Sequence, residues 1–190
     1  MPFLNDVKHW IEDDGVKYLT DLGVKKDQVI VDFGCNTGHY TIPAARIAGP
    51  HGKVYAIDRE QTAVDQLMKS AQAEALGNII PVISDKPFID LPVASADAVL
   101  IYDVLHYLDP VERQNLYESA YIVLKDTGIL SVFPKHNRSD WPRWNLEKLS
   151  VSDVVKEIRE CNFDTLEWQE KRIIHDDRIE AGTIINFKKS

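Results

Sequence analysis

Disulfide-grade cysteine, membrane-length apolar runs and basic excess are all missing from this chain. Only two cysteines, Cys35 and Cys161, occur in 190 residues, and they stand far apart. No disulfide framework can be built from them, and the expected compartment is the reducing cytoplasm. No run approaches the roughly eighteen consecutive apolar residues that a membrane span needs. The opening Met1-Pro2-Phe3-Leu4-Asn5-Asp6 lacks a basic region followed by an apolar stretch, so no signal peptide is expected. The formal charge is −8 and the pI about 5.2, which disfavours nucleic acid as the main partner, because phosphate-backbone binding draws on basic residues. The six histidines show no metal-ligand spacing, so no metal is expected. Repeats, low-complexity tracts and interdomain linkers are absent as well. One domain, residues 1–190, is the reading, with 1–23 a helical cap and 24–190 an α/β core.

What the chain does have is alternation. Val29–Phe33, Lys53–Ile57, Ile79–Ile83, Ala98–Tyr102 and Ile129–Phe133 are short β-rich runs. Helical periodicity separates them, over about 38–48, 60–76 and 109–124, and Pro43 falls early enough in its helix to be tolerated. Gly49-Pro50-His51-Gly52 and Asp126-Thr127-Gly128 read as turns. A helix at about 151–160 precedes two last strands, roughly 165–174 and 183–187, with no helix between them. The fold class this predicts is α/β: a doubly wound, mostly parallel, seven-stranded Rossmann-like sheet with an antiparallel C-terminal strand pair. Ahead of it, Leu4, Val7, Trp10 and Ile11 form an apolar stripe, and Tyr18, Leu19 and Leu22 follow an expected break at Asp14-Gly15.

The most informative stretch runs from Val29 to Gly38. A strand enters a small-residue turn, Gly34-Cys35-Asn36-Thr37-Gly38, that opens a helix, so a ligand can approach the backbone closely. Asp58 ends the next strand and is placed to accept ribose hydroxyls. A dinucleotide fingerprint would need glycine at 34, 36 and 39, and only Gly34 matches. A loop of an acidic residue followed by glycine at 34, 36 and 38 fits better. Gly34 and Gly38 match, Asp32 supplies the acid, and Asn36 is the side chain that best tolerates the positive φ expected there.

On these residues the chain resembles class I S-adenosylmethionine-dependent methyltransferases, of the small-molecule type related to the ubiquinone/menaquinone methyltransferases. The resemblance covers about 24–133. It implies S-adenosylmethionine as cofactor and S-adenosylhomocysteine as product. Asp32 would reach the methionine amino group, while Gly34, Cys35, Asn36 and Gly38 would floor the methionine and ribose. Asp58 would grip the ribose, Arg59 would lie along the adenine, and Asp85, beside Lys86, would accept from the adenine amino group. Asp103 would line the methionine and the transfer centre.

Methyl transfer from a sulfonium rests on alignment and exclusion of water, with a base needed only if the acceptor must lose a proton. His106 is the candidate base, and His39, Tyr40, Tyr102 and Tyr107 are candidates to line the cavity. Asp103 is followed by Val-Leu-His, not by the Pro-Pro-aromatic run of amino-methyltransferases, which lowers the odds of a base or amide acceptor. The segment Lys135–Trp144 concentrates Lys135, His136, Arg138, Arg143, Trp141 and Trp144, pointing to a small-molecule substrate that is anionic or aromatic. Trp10 and Tyr18 are candidate lid residues. Rival readings are a protein or RNA methyltransferase, a non-catalytic S-adenosylmethionine-binding regulatory subunit and an NAD-dependent oxidoreductase. The edge strand pair admits a homodimer.

Overall fold

The computed structural model describes residues 2–86 and 90–190. Its seven strands are β1 (Val29–Phe33), β2 (Lys53–Asp58), β3 (Ile79–Ile83), β4 (Ala96–Tyr102), β5 (Leu124–Phe133), β6 (Phe163–His175) and β7 (Arg178–Lys189). They form one sheet in the order β3-β2-β1-β4-β5-β7-β6. Pairing is parallel for β1/β2, β2/β3 and β4/β5, and antiparallel where Leu130 of β5 faces Phe187 of β7. The helices are α1 (Pro2–His9), α2 (Gly15–Leu22), α3 (Thr41–Ala48), α4 (Gln61–Ala73), α5 (Pro110–Val123) and α6 (Val151–Glu160). The fold class is the one the alternation predicts. Among the described residues no helix is long and apolar enough to cross a membrane. The chain divides into two compact units: Met1–Asp85 with Arg172–Ala181, and Lys86–Lys171 with Gly182–Ser190.

In the first unit, β1 is buried from Ile30 to Phe33, as a central strand requires. Helix α3 packs with Ile42, Ala44, Ala45 and Ala48 buried, and α4 with Val64, Leu67 and Ala71. Small residues permit close approach: a Cβ on Gly52 would lie 2.8 Å from the Gln28 carbonyl. The end of α3 is closed by Asn78, whose Nδ2 donates to the carbonyls of Ala45 and Gly49 at 2.8 and 2.9 Å.

The expected break at Asp14-Gly15 does not occur. Gly15 is helical at φ −69°, and its amide bonds Trp10 O, so Trp10–Asp14 forms one widened turn between α1 and α2. Glycine serves contact here: a Cβ on Gly15 would lie 2.7 Å from Trp10 O and 2.8 Å from the indole nitrogen. Arg46 donates to Ile11 O inside this turn from outside the helix. The Leu4 side chain of the expected apolar stripe lies outside the described residues.

In the second unit, α5 begins with a capping box between Asp109 and Glu112, and α6 with one between Ser150 and Asp153. Buried Arg113 of α5 grips Glu157 of α6 with two bonds of 2.9 and 2.7 Å. The expected turn at Asp126–Gly128 is instead a bulge within β5. Leu124 pairs Ala96 and Ile129 pairs Ala98, so five steps along one strand meet two along the other. A buried chain of hydrogen bonds crosses the strands: Tyr102 Oη to Ser131 Oγ at 2.6 Å, Ser131 Oγ to Asn186 Oδ1 at 2.7 Å, and Asn186 Nδ2 to Glu167 at 3.2 Å. Tyr102 is thereby a core residue, not a cavity-lining one.

Candidate functional site

In the first unit, the turn after β1 places three residues at positive φ: Gly34 at 83°, Asn36 at 46° and Gly38 at 96°. Asn36 therefore does what its side chain is suited to do. The amides of Gly34 and Cys35 both donate to Ile57 O, at 2.8 and 3.1 Å, which fastens the turn to β2. Glycine at 38 is needed for space as well, since a Cβ there would lie 2.4 Å from Leu67 Cδ1. Asp58 stands beside the turn as expected. Its Oδ2 accepts the Asn36 amide at 2.8 Å and its Oδ1 the Glu60 amide at 3.0 Å, so the carboxylate has one orientation. Arg59 is exposed, with Nε 3.5 Å from Glu60 Oε1. Asp85 is exposed, just past Ser84, whose amide donates to Asp58 O at 3.0 Å.

Asp32 is 2% exposed and accepts from Thr41 Oγ1 at 2.5 Å. Burial is the main force on it and pushes its carboxyl up to about 7. The Thr41 bond opposes that shift and the charge of Asp58 adds to it. A buried acid at that balance favours the arrival of a cation. Burial also pushes the Cys35 thiol well up, with Asp32 and Asp58 adding to the effect, which disfavours the reactive thiolate. Sequence reasoning missed Thr41, whose only sign is its place at the first turn of α3.

Trp10, Tyr18, His39 and Tyr40 are tied into the first unit. Trp10, Tyr18 and Tyr40 are buried and form one aromatic cluster, with centroid separations of 5.4 to 6.3 Å. Trp10 donates from its indole to His39 O at 2.9 Å, and Tyr40 from its hydroxyl to Ile174 O at 2.8 Å. His39 Nε2 stands 3.0 Å from Asp177 Oδ1. Burial holds its imidazole below the usual range, with Asp177 and Asp176 opposing. These contacts hold the segment that follows the turn.

In the second unit, Asp103 follows β4 at φ 53°, its amide bonded to Phe133 O at 3.0 Å. The short 3₁₀ turn Leu105–Tyr107 then buries His106 to 1% exposure. Asp103 Oδ1 lies 3.4 Å from His106 Nδ1 and 3.6 Å from Nε2 of His136, itself 3% exposed. His136 Nδ1 meets Trp141 O at 2.9 Å; a carbonyl only accepts, so that nitrogen carries its hydrogen. The His106 ring stacks on Trp144 at 5.2 Å and 23° and contacts Tyr107 at 4.0 Å and His136 at 4.6 Å.

The basic and aromatic segment divides in two. Lys135 is buried, bonded to Asp140 at 2.9 Å and 6.0 Å from the Phe133 ring centroid, so its charge is spent inside the protein. Arg138, Trp141, Arg143 and Trp144 are exposed, as is Lys86. The pairing of His136 with Asp103 had no sign in the sequence.

The family described as a methyltransferase domain matches residues 30–128. A probable cobalt-precorrin-6B C(15)-methyltransferase (decarboxylating) from Saccharolobus solfataricus is 35% identical over 72 residues, 37% of this chain and 36% of that protein. A carboxy-S-adenosyl-L-methionine synthase from Yersinia enterocolitica is 25% identical over 173 residues, 90% of this chain and 63% of that protein. This chain thus spans less than two thirds of the length of either relative. A solved S-adenosylmethionine-dependent methyltransferase from Aquifex aeolicus superposes with a TM-score of 0.77 at 21% identity, over 96% of this chain and 93% of that one, and shares the fold.

Proposed function

Because the chain belongs to the family of methyltransferase domains, we propose that it binds S-adenosylmethionine and passes the methyl group to a small molecule, releasing S-adenosylhomocysteine. The observation that carries the reading is the bond from the Asn36 amide to Asp58, which fixes a carboxylate beside a turn that crowds out any larger residue at 38. The residues fit the cofactor. Asp58 keeps lone pairs for two ribose hydroxyls after holding two amides. Buried Asp32 suits an ammonium, and Gly34, Cys35, Asn36 and Gly38 offer a floor of small side chains. Arg59, Asp85 and Lys86, all exposed, take the adenine end, and Asp103 and His106 the transfer end.

When bound, the cofactor supplies a methyl group on a positively charged sulfur, ready for in-line displacement. The chain's own part is to bind, orient and exclude water. The acceptor is anionic or aromatic in this reading, met by the exposed Arg138, Arg143, Trp141 and Trp144. Residues 1–190 act as one cofactor-binding domain of the ubiquinone/menaquinone type. Cys35 and Cys161, both free and buried, suit a cytoplasmic protein, and a homodimer would use the β6 edge, where Leu166 and Trp168 are exposed.

The test is calorimetric titration with S-adenosylmethionine and S-adenosylhomocysteine, beside an Asp58→Ala variant and an NAD control. Micromolar binding that collapses in the variant, with NAD silent, is expected. Failure of both adenosyl ligands to bind would overturn the reading.

A further inference from the structure

The hydrogen-bond ladder at the start of α3 has one rung missing. The Ile42 amide donates to Gly38 O and the Ala44 amide to Tyr40 O, each at 3.0 Å, both ordinary helical bonds between residues four apart. The rung between them would run from residue 43 to His39 O, and residue 43 is a proline with no N–H to give. The indole of Trp10 supplies that bond from 29 positions upstream, with Nε1 2.9 Å from His39 O. A side chain of the N-terminal segment thus completes the backbone hydrogen bonding of α3.

The donor has little freedom. Trp10 is buried, and the rings of Tyr18 and Tyr40 pack against it at 5.7 and 5.4 Å. Gly15 leaves room for it, since a Cβ there would lie 2.8 Å from the indole nitrogen. Helix α3 grips the same segment a second time, where Arg46 of its last turn donates to Ile11 O while bonding Glu74 at 2.8 Å.

The start of α3 carries Thr41, whose Oγ1 donates to Asp32 Oδ2 at 2.5 Å. Gly38, which accepts the rung before the gap, ends the turn at φ 96°. His39 therefore stands between the end of the turn and the residue that orients Asp32.

We infer that Trp10 is a positioning residue for the cofactor site: its N–H closes the rung that Pro43 leaves open and so sets Thr41 against Asp32. The inference rests on the reading in which Asp32 meets the ammonium of S-adenosylmethionine. Without the indole, His39 O has no helical donor four residues on, and the first turn of α3 can carry Thr41 away from Asp32.

The test changes Trp10 in two backgrounds, the natural chain and Pro43→Ala, which restores an N–H at the gap. Trp10→Phe removes the donor and keeps a ring. Because it also leaves a void, a second protein carries benzothiophene in place of the Trp10 indole, of the same shape with sulfur where the N–H stood. Three quantities are read: hydrogen exchange of the Ile42 and Ala44 amides, titration of the Asp32 carboxyl by carbon NMR, and calorimetric affinity for S-adenosylmethionine. The first two need no cofactor.

In the natural background both Trp10 changes should speed exchange and weaken cofactor binding by about tenfold. They should also move the Asp32 titration upward, because the Thr41 bond holds it down. With Pro43→Ala present, the exchange and affinity effects should shrink to within about twofold and the titration shift should vanish. Equal losses in both backgrounds would show that Trp10 acts by packing alone and would overturn the inference. So would an Asp32 titration that neither Trp10 change moves. If the cofactor binds the natural chain and the Trp10 variants equally, the inference fails and the cofactor reading stands. If exchange and titration respond but the natural chain binds no S-adenosylmethionine, the cofactor reading fails and takes the role toward the cofactor with it, while closure of the rung by Trp10 stands.

Discussion

Asp58 holds the backbone amide of Asn36 at 2.8 Å, across 22 positions of sequence. One carboxylate thus shapes the turn and, in the proposed reading, has a second job in holding the cofactor.

The two jobs separate by substitution. Asp58→Ala should lower affinity for S-adenosylmethionine by about 30- to 100-fold, equivalent to roughly 2–3 kcal/mol for lost charged hydrogen bonds. It should also lower the melting temperature by several degrees, because the Asn36 and Glu60 amides lose their acceptor. Asp58→Asn, which keeps one carbonyl acceptor, should recover most of the melting temperature and less of the affinity. Calorimetry and thermal melts on the three proteins check this, and equal affinity in all of them would remove Asp58 from the site.

With Asp32 on the cofactor's ammonium, as proposed, affinity should depend on pH. Burial raises its folded-state carboxyl from 3.8 to about 7, while the unfolded chain keeps the ordinary value. Between those values the folded protein holds a proton that the unfolded chain has lost. This group's stabilisation is therefore full below the lower value and is lost as pH rises toward the upper one. A bound ammonium favours the ionised form, so affinity should rise up to tenfold per pH unit on approaching about 7, then level off. Asp32→Asn should flatten that dependence. Titrations at several pH values decide it, and an unchanged slope in the variant would refute the assignment.

Arg113 is a stability residue. Arg113→Ala removes two bonds to Glu157 and one to Leu108 O, and leaves the carboxylate facing a cavity. The expected cost is about 3 kcal/mol, at the lower end for a broken buried pair because Glu157 is partly exposed. The double change Arg113→Met with Glu157→Met should recover most of it. Denaturant unfolding of single and double variants measures both, and additive losses would contradict the pairing.

Ser131 links Tyr102 to Asn186 inside the sheet. Ser131→Ala strands a buried tyrosine hydroxyl and should cost about 1–3 kcal/mol. Adding Tyr102→Phe removes the stranded group, so the pair should cost less than the sum of the two single changes. Strictly additive single losses would show that the chain contributes nothing beyond packing.

The strand run from Val29 to Phe33 was legible because a buried parallel strand is continuously apolar, and Ile79–Ile83 reads the same way although, at the sheet edge, only Ile79 is buried. The turn from Gly34 to Gly38 was legible because its backbone demands particular residues. The last strands were underestimated. Phe163–His175 is exposed along much of its length and Arg178–Lys189 only toward its ends, so polar residues such as Glu167, Glu170 and Glu180 hide their extent. Asp14-Gly15 misled because glycine there answers a contact with Trp10, which spacing does not reveal. The meeting of Asp103 with His136 depends on where two strands end. Pairwise proximity of that kind leaves no trace in local pattern.

The segment that follows the Gly34–Gly38 turn takes part of its support from residues 172–181. Tyr40 needs Ile174, His39 needs Asp177, and the amide of Ile179 reaches Asp6 at 3.4 Å. On the ribosome, the turn is made early and its support very late. The nascent chain therefore carries a half-supported turn for most of its synthesis, with His39 and Tyr40 short of their final partners. Protection of the loop from a chaperone or a protease should arrive abruptly, when the β6–β7 hairpin emerges, instead of building up as each strand joins.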